Sequence, residues 1–269
     1  MERKVVLITG GSSGIGQATG KYLSSKGYRV YGTTRNLDKH KDFKHFELLE
    51  LDVQRQGSID RTVEYIITKE GRLDVLVNNA GVGITGPLEE TPIEEITKAF
   101  DINFNGPIRM IKSVLPQMRS QNSGLIINIT SIAGYMGLPF RGVYSSTKAA
   151  LEIATEALRM EVKVFGVEIA TIAPGDFATN IAAGRYHVPV VEDSPYQNTY
   201  PKALALMNKD VDAGEEPIVV AKKVFHLIQL RKPGIRYPVG AFLQKLSIFL
   251  KKILPGKYYE RLLMNHYKL

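Results

Sequence analysis

The 269-residue chain contains no cysteine. That absence excludes disulfides and thiolate metal sites and is compatible with a reducing compartment. There is no run of about 18 apolar residues, so no segment reads as a membrane span. The five histidines, His40, His45, His187, His226 and His266, lack the spacing of a ligand set, and no metal is expected. Apolar sequence begins at Val5, which leaves no room for a leader peptide ahead of it. Repeats, low-complexity tracts and a convincing linker are missing too, so the reading is one domain over 1–269. The expected location is cytoplasmic.

Charge is present but unevenly spread. The net value is +8, yet residues 221–269 hold eleven Lys/Arg against Glu260 alone, which is +10. The first 220 residues carry 24 basic and 26 acidic residues, or −2. The basic excess therefore belongs entirely to the C-terminal segment.

Hydrophobic periodicity predicts alternating strands and helices. Strands are expected at 4–8, 29–33, 45–51 and 74–78, with helices at 15–26 and 58–69 between them. Thr91 is placed to cap a long helix over 92–121, bent by Pro107 after Asn103. A strand at 125–130, a helix at 141–165 and a strand at 167–172 follow. Residues 176–216 read as a long irregular loop, the expected substrate lid. A helix at 217–230, a strand at 236–239 and two more helices finish the chain. Alternation of this kind predicts an α/β fold, a Rossmann-type doubly wound parallel sheet of about seven strands with helices on both faces.

Two motifs carry chemistry. Thr9–Gly16 reads TGGSSGIG between an apolar strand and a helix. A glycine turn there lets backbone N–H groups and a helix N-terminus hold phosphate. Further along, Tyr144 and Lys148 stand at i and i+4, with Ser131 upstream. On a helix the two share one face, and a neighbouring ammonium favours the phenolate. A tyrosine so placed can serve as general acid or base, while a serine hydroxyl can polarise a carbonyl.

With Asn78-Asn79-Ala80-Gly81, these motifs resemble the short-chain dehydrogenase/reductase family over about residues 5–179. The resemblance implies a catalytic set of Asn103, Ser131, Tyr144 and Lys148. Asn103 would seat a water that relays protons to Lys148. It also implies a dinucleotide held by Gly10, Ser12, Ser13, Gly14, Ile15 and Gly16. Asp52 and Val53 would meet adenine, and Asn78, Ala80 and Gly81 would line the adenosine side. Tyr144, Lys148, Pro174, Gly175 and Thr179 would stand around the nicotinamide. Where a ribose-binding acid is usual, this chain has Thr34 followed by Arg35, which favours NADP(H) and leaves NAD(H) open.

Met136, Leu138, Phe140 and Val143 are candidate pocket walls, and they suggest a lipophilic carbonyl or alcohol substrate. The ending past Gly240 departs from the compact family pattern and is similar to retinol- and hydroxysteroid-type members. Phe242, Leu246, Phe249 and Ile253 form an apolar stripe joined by Leu243, Leu250 and Leu254, with Lys245, Lys251 and Lys252 toward the other side. Such a helix can pack on its own domain, join a homo-oligomer or lie on an anionic membrane. A steroid, retinoid or long-chain ketone is the first expectation, and a 3-oxoacyl, acylated-phosphate or sphingoid ketone is the alternative. A non-catalytic NADP(H) sensor is the alternative of another class. Nucleic-acid binding has only the tail charge behind it and is not expected.

Overall fold

The computed structural model describes residues 3–177, 184–212 and 214–269. Strand β1, Val5–Ile8, is apolar throughout and buried on both sides, as a central parallel strand must be. After it come helix α1 (Gly14–Ser25), β2 (Arg29–Thr34), β3 (Glu47–Glu50), α2 (Gln56–Glu70) and β4 (Val75–Asn78). A short strand β5 (Ile84–Thr85) precedes α3 (Ile93–Phe100) and α4 (Gly106–Ser120), and β6 (Gly124–Ile129) leads to α5 (Gly142–Val162) and β7 (Val167–Pro174). The rest is β8 (Tyr186–His187), α6 (Tyr200–Asp212), α7 (Ile218–Gln229), β9 (Arg236–Val239), α8 (Phe242–Ile253) and α9 (Gly256–Tyr267).

Seven strands form one parallel sheet in the order β3-β2-β1-β4-β6-β7-β9. The expected Rossmann-type α/β architecture is thus present. Side chains alternate along β1: Val5 and Leu7 join a core with α2 and α4, whereas Val6 and Ile8 join one with α1 and α7. The order of strands switches at β1: β2 and β3 are added on one side of it, and β4 and the later strands on the other. Crevices at such a switch point, outside the carboxyl ends of the strands, are where open α/β sheets bind ligands.

Three local expectations are corrected. The single bent helix over 92–121 is two helices joined by a π-helical turn, Asp101–Asn105, which contains Asn103. Its cap is not Thr91, whose hydroxyl donates to the Pro87 carbonyl at 2.7 Å, and Pro92 takes the N-terminal position. The stretch 176–216 is not irregular throughout: β8 pairs in parallel with β5, and α6 supplies a further helix.

The tail supplies the third correction. Phe242 is 72% exposed and Phe249 56%, while Ile248, outside the expected stripe, is the buried residue of α8. Ile248 packs with Ile132, Met136 and Tyr259, joined by Leu250 and Leu254. Polar contacts accompany this orientation. Gln244 Nε2 donates to Asp176 Oδ2 at 2.7 Å, and Gln244 Oε1 accepts from the Asp176 N–H at 3.4 Å. With Ile248, Leu250, Leu254 and Gln244 turned inward, the phenylalanines are left outside. Among the described residues no helix is long and apolar enough to cross a membrane.

Candidate active site

The glycine turn is held by the end of β4. Gly10 has φ +65°, a conformation in which glycine is free of strain. A Cβ on Gly16 would lie 2.2 Å from the Gly10 carbonyl oxygen, so α1 approaches the turn as only glycine permits. Asn79 Nδ2 donates to the Thr9 and Gly10 carbonyls at 2.9 and 3.1 Å, and Thr9 Oγ1 accepts from the Asn79 and Ala80 N–H groups. Ser13 begins α1 without spending its hydroxyl on a helix N–H, and no acid occupies the first turn. The positive end of the helix is therefore presented to the cleft.

That cleft has a volume of about 660 Å³. Gly10, Ser12, Ser13, Gly14 and Ile15 form one wall, and Asp52 and Val53 close the far side. Ala80 and Gly81 line it as expected, but Asn78 does not. Asn78 is buried in the sheet and donates to Asn128 Oδ1 at 2.9 Å, while Asn79 takes the lining position. Gly16 likewise shapes the turn without lining the cleft. Asp52 also holds its own turn by accepting from the Gln54 N–H at 3.0 Å.

Arg35 lies on the rim, and Lys39 and His40 stand with it. Sequence reasoning missed these last two. They arrive on a short 3₁₀ turn, Asp38–His40, whose only sequence signal is a basic pair four and five residues after Arg35. Thr34 turns its hydroxyl toward Asn36, so no carboxylate faces the rim at this position. The glycine cradle, helix terminus and basic rim fit an adenine dinucleotide bearing an additional phosphate.

A smaller recess of about 80 Å³ adjoins the cleft and shares Ile15, Asn79, Gly81 and Val82 with it. Here the fold brings Ser131, Tyr144 and Lys148 together, with Pro174 and Gly175 from the end of β7. Ser131 caps a 3₁₀ turn: its Oγ accepts from the Ala133 N–H at 3.1 Å and donates to the Pro174 carbonyl at 3.3 Å. On α5, Tyr144, Lys148 and Glu152 follow one another at single-turn spacing on a buried face. Lys148 Nζ is 5.9 Å from the centre of the Tyr144 ring and donates to the Ile129 carbonyl at 3.1 Å.

Burial pulls Lys148 below the ordinary lysine range, against the opposing influence of Tyr144 and Glu152. Burial raises Glu152 above the usual carboxylate range, while its hydrogen bonds from Thr130 and Thr171 and the charge of Arg236 act the other way. Its two oxygens are held by Thr130 Oγ1, Thr171 Oγ1 and Arg236. The Glu152–Arg236 pair behind the lysine was not foreseen; its only signal was the repeat of four from Tyr144.

Asn103 sits beside this group but is fully engaged. Its Oδ1 accepts from the Val82 N–H at 2.8 Å, and its Nδ2 donates to the Val82 carbonyl and to Thr147 Oγ1. The π-helical turn thus fixes the backbone after β4 around the recess. Thr179 lies outside the described residues. The four apolar residues expected as walls pack elsewhere: Met136 with α8 and α9, Phe140 with α6 and α9, Val143 with Ile84 and Ala99, and Leu138 against all three of these clusters. Phe177 and Val211 are among the apolar residues that line the recess, with Ile15, Val82 and Ile129. No cluster of metal-ligating side chains occurs among the described residues.

Comparison with known proteins agrees with this geometry. A relative from Bacteroides thetaiotaomicron, a 3-ketodihydrosphingosine reductase, is 36% identical over 99% of both chains. An NADPH-dependent 3-dehydrocapnine reductase from Ornithobacterium rhinotracheale is 34% identical over 88% of both. An alcohol dehydrogenase from the archaeon Thermococcus sibiricus, solved with 5-hydroxy-NADP, superposes with a TM-score of 0.73 at 25% identity, covering 90% of this chain and 97% of its own. The family model for short chain dehydrogenase matches residues 4–187, and the chain belongs to that family.

Proposed function

We propose that the protein is an NADP(H)-dependent oxidoreductase that interconverts a carbonyl and an alcohol on a long-chain, lipophilic substrate. The observation that carries this reading is the meeting of Ser131, Tyr144 and Lys148 in a recess opening onto a dinucleotide-shaped cleft. The bound reduced nicotinamide would supply a hydride to the carbonyl carbon. Ser131 Oγ–H donates to the carbonyl oxygen and orients it. Tyr144 gives its phenolic proton to that oxygen as negative charge develops there, and the C=O bond becomes C–H and O–H. Lys148 stabilises the tyrosine anion left behind. Asn103, through Val82, holds the wall between lysine and cofactor.

The names of the two relatives favour a sphingoid-type ketone over a steroid or retinoid. The 176–216 segment acts as the substrate cover through Phe177 and Val211. NADPH consumption with sphingoid, steroid, retinoid and 3-oxoacyl carbonyls tests the reading. The sphingoid-type ketone should be consumed fastest, and consumption of no carbonyl in the panel would sink it.

The outward face of α8 suits attachment to an anionic lipid surface. Phe242, Leu243, Phe249 and Ile253 are exposed together with Lys245 and Lys252. Each lysine near such a surface contributes roughly 1 kcal/mol, so Lys245→Gln/Lys252→Gln should weaken binding to phosphatidylserine vesicles about 30-fold at low salt. Equal sedimentation of both proteins with anionic and neutral vesicles would remove this role.

A further inference from the structure

One buried cation beside the reacting centre has a guanidinium nitrogen without a hydrogen-bond partner among the described residues. Arg185 is only 7% exposed, and among the described residues nothing accepts a hydrogen bond from its Nη1. Other partly buried arginines here are answered. Arg159 donates to the Ile169 and Pro233 carbonyls and pairs with Glu168, and Arg236 pairs with Glu152 and Glu156. A buried guanidinium left short of acceptors is costly, and such groups in native proteins call for an explanation.

The place is built to receive this side chain. Arg185 directly precedes β8, whose pairing with β5 fixes the backbone. Its stem lies against Gly83, where a Cβ would come within 2.9 Å of Arg185 Cγ. The arginine lines the recess that holds Ser131, Tyr144 and Lys148.

The surrounding charges do not answer it. Arg141 and Lys148 also line the recess, against the single carboxylate of Asp176. Asp176 is already engaged, by Gln244 Nε2 at 2.7 Å and by Arg141 at 3.9 Å. On α6, Asp210 lies 3.8 Å from His266. Burial pulls Arg185 below the ordinary arginine value and Arg141 adds to that pull, while Tyr144, Asp176 and Tyr200 act the other way without cancelling it. An added negative charge in the recess would relieve both effects.

We infer that Arg185 anchors an acidic group on the substrate, a carboxylate, sulfonate or phosphonate, carried within a few bonds of the carbonyl that Tyr144 protonates. The inference rests on the carbonyl-reductase reading above and specifies the head of its substrate. A planar guanidinium fork matches an oxyanion with two parallel hydrogen bonds. The recess, at about 80 Å³, takes a group of a few heavy atoms, and an alkyl chain would leave past Phe177 and Val211.

A matched pair of substrates tests it: a long-chain 2-oxoalkylsulfonate and the methyl ketone of equal chain length, each with NADPH. The wild type should favour the sulfonate in kcat/KM by on the order of 10–100-fold, the worth of a charge-assisted contact. Arg185→Met should bring that ratio close to one, and Arg185→Lys should restore part of it. A binding measurement needs no turnover. Octanesulfonate should bind the NADP⁺-loaded wild type at least tenfold more tightly than it binds Arg185→Met. If neither ketone is reduced, the carbonyl-reductase reading falls while octanesulfonate binding still decides the anchor. If Arg185→Met does not fold, octanesulfonate against octanol on the wild type decides instead. Equal binding there, or equal sulfonate binding by wild type and Arg185→Met, would overturn the inference.

Discussion

The dinucleotide cleft and the recess beside it are built from different materials. Along the cleft the important groups are backbone: a glycine turn, the start of α1 and the chain after β4, stitched by Asn79 and Thr9. In the recess they are side chains drawn from β6, α5, the end of β7 and the approach to β8. A backbone site tolerates little added volume but many choices of neighbouring side chain. A side-chain site is the reverse, since a single changed head group alters the chemistry while the frame survives.

Four substitutions probe that contrast, the largest effect first. Tyr144→Phe removes the proposed proton donor from the recess and leaves the glycine cradle intact. Turnover should fall on the order of 10²–10⁴-fold while NADPH affinity, read by fluorescence titration, changes only a few-fold. A variant retaining a sizeable fraction of kcat would place the donor elsewhere.

Gly16→Ala strikes the backbone site instead. The new methyl would meet the Gly10 carbonyl oxygen at 2.2 Å, with Asn79 Nδ2 at 2.6 Å. The turn must shift, at a cost of about 1–3 kcal/mol, and NADPH affinity should drop along with the melting temperature. Unchanged values for both would show that α1 can give way.

Arg35→Ala belongs to the rim of the cleft, where side chains take over from backbone. Loss of one charged contact should cost about 1.5–2 kcal/mol, or roughly 10–30-fold in NADPH affinity, with little change for NADH. If both cofactors weaken equally, Arg35 does not read the extra phosphate. A Lys39→Ala variant would then show whether the 3₁₀ turn does so.

The smallest effect concerns Lys148, where burial acts on the recess itself. Its folded value lies below the ordinary 10.5 of the unfolded chain. Between those two values the unfolded chain binds more protons, so this lysine makes stability rise with pH toward 10.5 and fall as pH drops through the folded value. Urea unfolding of the wild type and Lys148→Met across that window should show the wild type gaining on the variant as pH rises. Parallel curves would mean that the ammonium is not held out of water.

The same contrast explains what could be read from the sequence. Apolar runs such as Val5–Ile8 and the glycine spacing are local signals, so the sheet, the cradle and the Tyr144–Lys148 pair were legible. The π-helical turn at Asn103 was not, because a single wide turn leaves no periodic trace. Asn79 lines the cleft in place of Asn78 because β4 ends at Asn78, whose side chain stays in the sheet with Asn128, and the motif alone does not say which asparagine faces the cleft. The stripe on α8 misled because the partners of its buried face, Ile132, Met136 and Asp176, lie far away in the chain. Arg185 escaped for the same reason: 41 residues separate it from Tyr144, in a stretch without a repeating pattern.

The central claim is that this recess adds a hydride to a carbonyl carbon with Tyr144 completing the alcohol. NADPH carrying deuterium at the transferable position, incubated with a sphingoid-type 3-ketone, tests it most directly by mass spectrometry of the product. The account predicts an alcohol with one deuterium on the former carbonyl carbon from the wild type, and almost none formed by Tyr144→Phe. Unlabelled alcohol from the wild type, or equal labelled product from both proteins, would contradict it.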